Sequence, residues 1–344
     1  MSQAESTSTG TGAAIRPESA HPAEHSAGLR LGQRREHERY RAGWYQIAFK
    51  DEIEEGLSNL YFGDLRLLAI RKDANIRIFD ASCPHRGANL AHGKLSGDNA
   101  ILCPFHGYRI RLGKDDQDPF CVHEYPVRVV GELVCFSLGA LDEQTPAPDL
   151  PNALQALAQK HDVLQGFKLQ ARTTIQTVME NGFDNAHFPS VHGLVSEPTF
   201  EVETAAGGEL IARGHFRIPR AGFNVNPGSN VPVEALYEAR AYSPGAVIAG
   251  LNGEMPYNYR VITTARPEPE PGTCSIRVSL ALPRAQSGST VNEHLAPALL
   301  AASEDGLKKD RAVWNELDLN MPLNLTERDA AVIAFGRFCD SFRV

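Results

Sequence analysis

The sequence predicts an α+β protein in two parts, a small all-β domain followed by a larger domain with one extended antiparallel sheet flanked by helices. Short runs of alternating apolar and polar residues, separated by turn residues, fill positions 44 to 138. Longer alternating runs between 209 and 282 are followed by helical periodicity over 291–317 and 328–342. A proline-rich stretch at 145–151 is typical of a linker and separates the two parts.

Length and composition are those of a soluble globular protein. The 344 residues have room for two domains, and apolar and charged residues make up 42% and 22%. A net charge of -8 disfavours a nucleic-acid partner, and no apolar run reaches the length of a membrane span. The six cysteines are scattered, which indicates a reducing compartment. We therefore expect a cytoplasmic protein that binds no nucleic acid and does not span a membrane.

Three segments follow from these patterns. Residues 1–38 are rich in Ser, Thr, Ala, Gly and His, and predict a disordered tail, or else an arm that packs on a neighbouring subunit. Residues 39–145 form the first domain and residues 146–344 the second.

The elements are expected in the following order. In the first domain, strands are predicted at 65–70 and 75–79, which form a hairpin, and at 108–112, 121–130 and 133–138. This pattern suggests a small antiparallel barrel or sandwich. The second domain begins with a short helix at 152–160, followed by sheet strands at 209–218, 233–242, 247–251, 257–265 and 274–282.

Two cysteine–histidine pairs dominate the first domain. Seventeen residues separate Cys83 and His85 from the second pair, Cys103 and His106, and each pair runs into a glycine-bearing loop. Two thiolates and two imidazoles could hold one zinc ion tetrahedrally. They could also hold a [2Fe–2S] cluster in which His replaces Cys on one iron.

The surroundings of these pairs resemble the Rieske iron–sulfur domain. The run C-P-H-R-G-A-N-L … C-P-F-H-G-Y carries the resemblance, which extends over about residues 43–140. It implies that the four residues hold a [2Fe–2S] cluster with a reduction potential of roughly -150 to +300 mV, which relays single electrons. Tyr108 stands where many family members have Trp. The charged segment 111–119 lacks the usual glycine-rich turn, a departure that bears on the choice of reductase.

A second cluster lies between 180 and 193. Asn181, Asp184 and His187 recur every three residues, which places them on one face of a predicted helix. Pro189 is expected to end this helix, so that His192 comes from the following turn. Two histidines beside a carboxylate suit the facial triad that binds iron(II) and leaves positions open for O2.

This second pattern, N-x-x-D-x-x-H-x(4)-H, resembles the mononuclear-iron motif of Rieske non-heme iron oxygenases. The resemblance then covers nearly the whole chain from about residue 43. It implies a helix-grip-like catalytic domain in which His187 and His192 bind iron(II). A third ligand is expected far downstream. We choose Asp310, because members of the ketosteroid-hydroxylase type carry an acid four residues before a Trp, here Trp314. The other candidates are Glu304, Asp305, Glu316 and Asp318, and the alternative is a solvated helix face.

The resemblance also implies roles for two residues that are not iron ligands. Asp184 is expected to bridge His106 or His85 of one subunit to His187 of the next, which implies a homotrimer. Asn181 is placed with Asp184 in the catalytic set.

The function implied is that of a terminal oxygenase. Reduction of O2 takes four electrons, of which a C–H oxidation supplies two. The other two are expected from NAD(P)H through a separate flavin reductase, a ferredoxin or both, since no dinucleotide-binding motif is present.

The substrate is expected to be a bulky, largely apolar steroid, aromatic or natural product that is hydroxylated or otherwise monooxygenated. The alternatives are an oxidative demethylase, a desaturase, or a Rieske-type electron carrier, which needs only residues 43–140. Apolar pocket candidates, none of them assigned, are Phe200, Phe216, Phe223, Leu236, Tyr257 and Tyr259.

Overall fold

The computed structural model describes residues 40, 42–113, 117–141, 146–218, 233–253, 259–284 and 291–343. The predicted tail at 1–38 lies outside the described residues, as do Phe223 and Tyr257. Within the described part of the chain, no helix is both long and apolar enough to cross a membrane.

The described residues of the first domain form three small sheets, as its short alternating runs predict. Their strand orders are β1-β11-β10, β2-β3-β4-β9 and β5-β6-β7-β8. The strands are β1 (Trp44–Phe49), β2 (Gly56–Phe62), β3 (Leu65–Lys72), β4 (Asn75–Asp80), β5 (Lys94–Leu95), β6 (Ala100–Leu102), β7 (Arg109–Leu112), β8 (Cys121–Val122), β9 (Glu124–Tyr125), β10 (Val127–Val130) and β11 (Leu133–Ser137). The predicted hairpin is confirmed as β3 and β4, which pair from Leu67↔Asp80 to Lys72↔Asn75. The single strand predicted over 121–130 is instead three short strands.

The second domain contains one antiparallel sheet of seven strands among the described residues, in the order β12-β18-β17-β16-β15-β14-β13. The strands are β12 (His161–Ala171), β13 (Glu201–Thr204), β14 (Leu210–Ile218), β15 (Val233–Ser243), β16 (Ala246–Gly253), β17 (Arg260–Pro267) and β18 (Cys274–Pro283). The helices are α1 (Leu150–Lys160), α2 (Ile175–Glu180), α3 (His187–His192), α4 (Val291–Trp314) and α5 (Ala330–Asp340). The five predicted strands and the α+β class are confirmed, whereas β12 and β13, the two edges of the sheet, were missed.

Helix α1 packs where the two domains meet. Its first turn is capped by Asp149, whose side chain accepts the backbone N–H of Asn152 at 3.0 Å. Leu150 and Leu154 are fully buried in a cluster that also contains residues of both domains. The other buried members of this cluster are Phe49, Leu133, Cys135, Tyr242, Ala246, Ile248, Ile262 and Ala281. The two domains therefore share an apolar core.

Buried polar contacts reinforce this junction. The Thr264 hydroxyl donates to the side-chain carbonyl of Gln46 at 2.9 Å, and both residues are buried. Arg277, which is 1% exposed, donates to both oxygens of Glu52 at 2.5 and 2.8 Å. Lys168 donates to the same carboxylate at 2.6 Å. Because removing one partner of a buried ion pair is costly, these contacts fix the first domain on the sheet of the second.

Candidate metal centres

Two loops with matching backbone conformation carry the cysteine–histidine pairs. In each loop the cysteine N–H donates to the carbonyl five residues later at 2.8 Å. The amides of Gly87 and Gly107 donate back to the carbonyls of Cys83 and Cys103 at 2.7 and 3.1 Å. Both glycines are left-handed, with φ of 72° and 70°, a conformation that a side chain would strain. The repeated C-x-x-x-G spacing therefore folds into two equivalent turns that face each other.

The four side chains of these loops lie together, as predicted. Both thiols are buried and in contact, and the His85 and His106 ring centroids are 4.9 Å apart. Burial raises the pKa of the Cys83 thiol. Burial acts in the same direction on Cys103, but the N–H groups of Phe105 and His106 and the Cys83 thiol outweigh it and lower its pKa. One low-pKa thiol among backbone donors is suited to binding metal as thiolate.

An unsatisfied ring nitrogen indicates that a metal group fits here. Among the described residues, Nδ1 of His85 is buried and has no hydrogen-bond partner. Leaving a buried nitrogen unpaired costs free energy, which a metal bond offsets. The ring packs on Tyr108 at 4.5 Å between centroids, and Tyr108 stacks on Phe120 at 5.1 Å. The position where many family members have Trp therefore still supplies an aromatic support for a histidine.

The second cluster is built on two short helices, so the prediction of a single helix is wrong. Helix α2 ends at Glu180 and Asn181 is its C-cap, half-buried, after which the chain turns until α3 begins at His187. Pro189 does not end this helix. It is the third residue of α3, within the first turn, where its missing N–H costs nothing. His192 is the last residue of α3, before a left-handed cap at Gly193 (φ 70°).

The structure brings His187, His192 and Asp310 together. One ligand atom from each lies within 4.8 Å of the others, and His192 Nε2 is 3.1 Å from Asp310 Oδ1. Asp310 is 7% exposed, and within the described residues its Oδ1 has no hydrogen-bond partner, so the 3.1 Å approach lacks hydrogen-bond geometry. Two imidazoles and a buried carboxylate aimed at a common point suit a 2-His-1-carboxylate metal site.

The other acids considered on and after α4 lie outside this group. Asp305, Glu316 and Asp318 are exposed, and Glu304 pairs with Lys308 at 2.9 Å. The alternative that these acids lie on a solvated helix face therefore holds for the other four. It does not hold for Asp310, which is buried together with Trp314.

Backbone contacts fix the orientation of His187. Its Nδ1–H donates to the main-chain carbonyl of Asp184 at 2.6 Å, which leaves Nε2 without a proton and available for a metal. Burial lowers the pKa of His187, which favours the neutral form that binds metals. The Asp184 side chain stabilises the turn that leads into α3, since it accepts the N–H groups of Ala186 at 3.0 Å and His187 at 3.4 Å.

An aromatic stack that the sequence did not reveal in full borders this group. The Phe188 ring lies 4.0 Å from His187 and 4.7 Å from Phe216, between centroids. Phe216 stacks on Tyr237 at 4.5 Å, and Phe200 lies 5.7 Å from Tyr237. Of the apolar candidates, Phe200 and Phe216 join this stack. Leu236 points to the other face of β15, since neighbouring strand residues alternate.

The same stack supports the turn before α3. The Tyr237 hydroxyl donates to the Gly182 carbonyl at 3.2 Å, and burial raises the pKa of Tyr237. Tyr259, the remaining described candidate, is half-buried, and burial raises its pKa also. Phe188 and Tyr237 were not among the apolar pocket candidates predicted from the sequence. Phe188 could have been included, because it directly follows the predicted ligand His187.

Comparisons with known proteins identify both domains. Residues 43–125 match the Rieske [2Fe-2S] domain, and residues 141–342 match the 3-ketosteroid 9alpha-hydroxylase C-terminal domain. A probable 3-ketosteroid-9-alpha-monooxygenase, oxygenase component, from Rhodococcus rhodochrous is 26% identical over 89% of this chain and 81% of its own length. Cholesterol 7-desaturase nvd 1 of Ciona intestinalis is 28% identical over 44% of this chain, and the match spans 34% of that protein. The solved structure of Pseudomonas putida CBB5 NdmB superposes with a TM-score of 0.66 at 18% identity, covering 91% of this chain and 98% of that one.

These matches decide between the alternatives left open by the spacing. A Rieske domain implies an iron–sulfur cluster rather than zinc at the first site, and the oxygenase family implies non-heme iron. A stand-alone electron carrier does not account for the match over 141–342. The chain is an oxidoreductase that belongs to the Rieske non-heme iron oxygenases, with a C-terminal domain of the 3-ketosteroid 9alpha-hydroxylase family.

Proposed function

We propose that this oxygenase uses O2 to hydroxylate, or otherwise monooxygenate, a bulky and largely apolar ring system of the steroid type. The observation that carries the proposal is the group of half-buried His187 and His192 with buried Asp310, beside the aromatic stack. Its C-terminal family and its relative from Rhodococcus rhodochrous support a ketosteroid-like substrate. The aromatic stack also favours a flat apolar substrate over a charged one.

Each metal group has a proposed set of ligands. Cys83, His85, Cys103 and His106 hold a [2Fe–2S] cluster, and His187, His192 and Asp310 hold iron(II). When bound, the cluster would supply single electrons and the iron would activate O2.

The chain's own residues position these groups. The Asp184 carbonyl holds the His187 ring in one tautomer, and helix α4 supplies Asp310 from a distant part of the sequence. Phe188, packed against His187 and His192, excludes water from one side of the group. No side chain is needed as a general base, because the electrons and O2 perform the oxidation.

We also propose the partners of this reaction. Two electrons come from NAD(P)H through a separate ferredoxin, flavin reductase or both, since the matched relative is named an oxygenase component. Asp184, whose side chain is 32% exposed, and neighbouring Asn181 link this site to the cluster of an adjacent subunit in a homotrimer. The enzyme works in the cytoplasm, with domains at 39–145 and 146–344 behind a tail at 1–38.

Desaturation is the second candidate reaction, because the match to a cholesterol 7-desaturase points to the same substrate class with a different outcome. Both reactions consume O2 and two delivered electrons. They differ in whether an oxygen atom is kept in the product. Oxidative demethylation would give formaldehyde in addition.

The test is turnover with a surrogate reductase. The iron-reconstituted protein is incubated with NADH, a ferredoxin–reductase pair, 18O2, and a panel of ketosteroids, sterols and small aromatic acids. A product heavier by one 18O atom supports hydroxylation, and a product lighter by two hydrogens supports desaturation. Asp310→Asn, with its cluster intact, is the matched control and should give neither. If a protein with both metal centres loaded oxidises the small acids but none of the steroids or sterols, the substrate class is wrong.

A further inference from the structure

An arginine on strand β3 joins the two ends of the first cluster loop. One terminal nitrogen of Arg66 donates to the Ser82 hydroxyl at 3.0 Å and to the Gly87 carbonyl at 3.0 Å. Ser82 precedes Cys83, and Gly87 is the left-handed residue whose amide bonds to the Cys83 carbonyl. The guanidinium therefore closes the loop across the segment that contains Cys83 and His85.

The backbone of Arg66 is itself well anchored. Its carbonyl accepts the N–H of Ala81 at 3.0 Å, and Arg66 pairs with Tyr61 across the β2–β3 hairpin. Arg266 of the second domain donates to the Tyr61 carbonyl at 2.9 Å. At the hairpin tip, the Gly63 amide donates to the Pro267 carbonyl at 2.9 Å. The hairpin thus rests on the end of β17 and presents Arg66 to the loop from a fixed position.

We propose that Arg66 is a positioning residue for the iron–sulfur cluster, which holds the Cys83–Gly87 loop and favours the reduced state of the cluster. The N–H groups of His85 and Arg86 point at the Cys83 sulfur, so the loop conformation sets these hydrogen bonds. Hydrogen bonds to the sulfurs and nearby charge both set the potential of such clusters. Reduction adds one negative charge, and a fixed guanidinium beside the loop stabilises that form.

The experiment compares single variants of the cluster-loaded full-length protein. Arg66→Gln removes the charge and replaces the guanidinium by a shorter amide, Arg66→Lys keeps the charge, and Ser82→Ala removes one acceptor only. Arg71→Gln is the matched control, because Arg71 lies on the same strand and binds the carbonyls of Lys50 and Ile53 at 3.0 and 2.8 Å. The reduction potential is titrated by the EPR signal of the reduced cluster, and cluster loss to an iron chelator is followed by visible absorbance.

Arg66→Gln is expected to lower the ratio of reduced to oxidised cluster at a fixed potential about fivefold. At 59 mV per tenfold change for one electron, this corresponds to a reduction potential that is about 40 mV lower. The variant should also lose its cluster about fivefold faster. Arg66→Lys should keep the wild-type potential but lose the cluster faster, Ser82→Ala should lose it about twofold faster, and Arg71→Gln should match wild type in both. If Arg66→Gln matches Arg71→Gln in both measurements, the proposal is wrong.

Two further outcomes keep the test decisive. If Arg66→Gln does not fold, the proposal fails when Arg66→Lys and Ser82→Ala both release the cluster no faster than Arg71→Gln. The inference rests on the proposed [2Fe–2S] site, and the two fail differently. A wild-type protein without a Rieske EPR signal refutes the site, whereas a normal wild-type signal that Arg66 does not influence refutes only the role of Arg66.

Discussion

Replacing Glu52 by Gln should weaken the attachment of the two domains to each other. Glu52 accepts two hydrogen bonds from Arg277, one from Lys168, and the N–H of Phe49 at 2.8 Å. Arg277 is 1% exposed, so the substitution leaves a buried guanidinium without its counter-charge.

The magnitude follows from the ionisation of this carboxyl. Burial alone would raise the pKa of Glu52, but Arg277, Lys168 and the Phe49 amide lower it from 4.5 to about 2. A shift of this size is equivalent to about 3 kcal/mol, which solvent screening at a partly exposed carboxylate reduces to about 2 kcal/mol. Because the folded-state pKa is depressed, this stabilisation is complete above about pH 4.5 and is lost as the pH falls toward 2.

The assay is urea unfolding followed by the fluorescence of Trp44 and Trp314, one in each domain. At pH 7, Glu52→Gln should be about 2 kcal/mol less stable than wild type, and this difference should narrow as the pH falls from 4.5 toward 2. Glu55→Gln is the control: its side chain is 63% exposed and 3.9 Å from Arg71, so it should change stability by less than about 0.5 kcal/mol. A Glu52→Gln protein as stable as the control at pH 7, or a difference that does not vary with pH, would refute this reasoning.

Three further predictions concern the metal centres. Asp310→Asn should lose the mononuclear iron but keep the visible spectrum of the cluster, as judged by iron analysis, whereas the exposed Asp305→Asn should keep both. Gly107→Ala should lower the free energy of unfolding by about 1–2 kcal/mol. The cause is the φ of 70° alone, since the added Cβ would meet no atom within 4 Å. Gly131→Ala carries the same kind of strain in a distant turn and should lower the melting temperature similarly, but only the change at Gly107 should speed cluster loss. A ferrous chelator should abolish turnover while the cluster absorbance stays, and added Fe(II) should restore activity; lasting inactivity with iron rebound would count against the ligand set.

Local patterns were sufficient to predict the cluster loops and much of the sheet. The spacing around Cys83 and Cys103 defines two turns whose conformation is set by neighbouring residues, so little long-range information is needed. Two of the strands that were missed have weaker patterns. Polar residues interrupt β2, and β12 is half-buried along most of its length because it is a sheet edge.

The second site was predicted less completely because its geometry is tertiary. The spacing of Asn181, Asp184 and His187 fits a helix, but Gly182 and the tightened turn end α2 early. The choice of Asp310 came from resemblance, since periodicity alone did not separate it from its acidic neighbours. The hydrogen bonds from Arg66 to Ser82 and Gly87, and those that Glu52 accepts from Lys168 and Arg277, join residues 16 to 225 positions apart. The local sequence does not predict them.

The hydrogen bond from His187 to a peptide oxygen has a consequence for engineering this enzyme. Because the acceptor belongs to the main chain of Asp184, a new side chain at that position would leave the imidazole pointing the same way. Asp184→Asn, which keeps an oxygen to accept the Ala186 amide, should therefore remove the negative charge at this position while the His187 ring keeps its orientation.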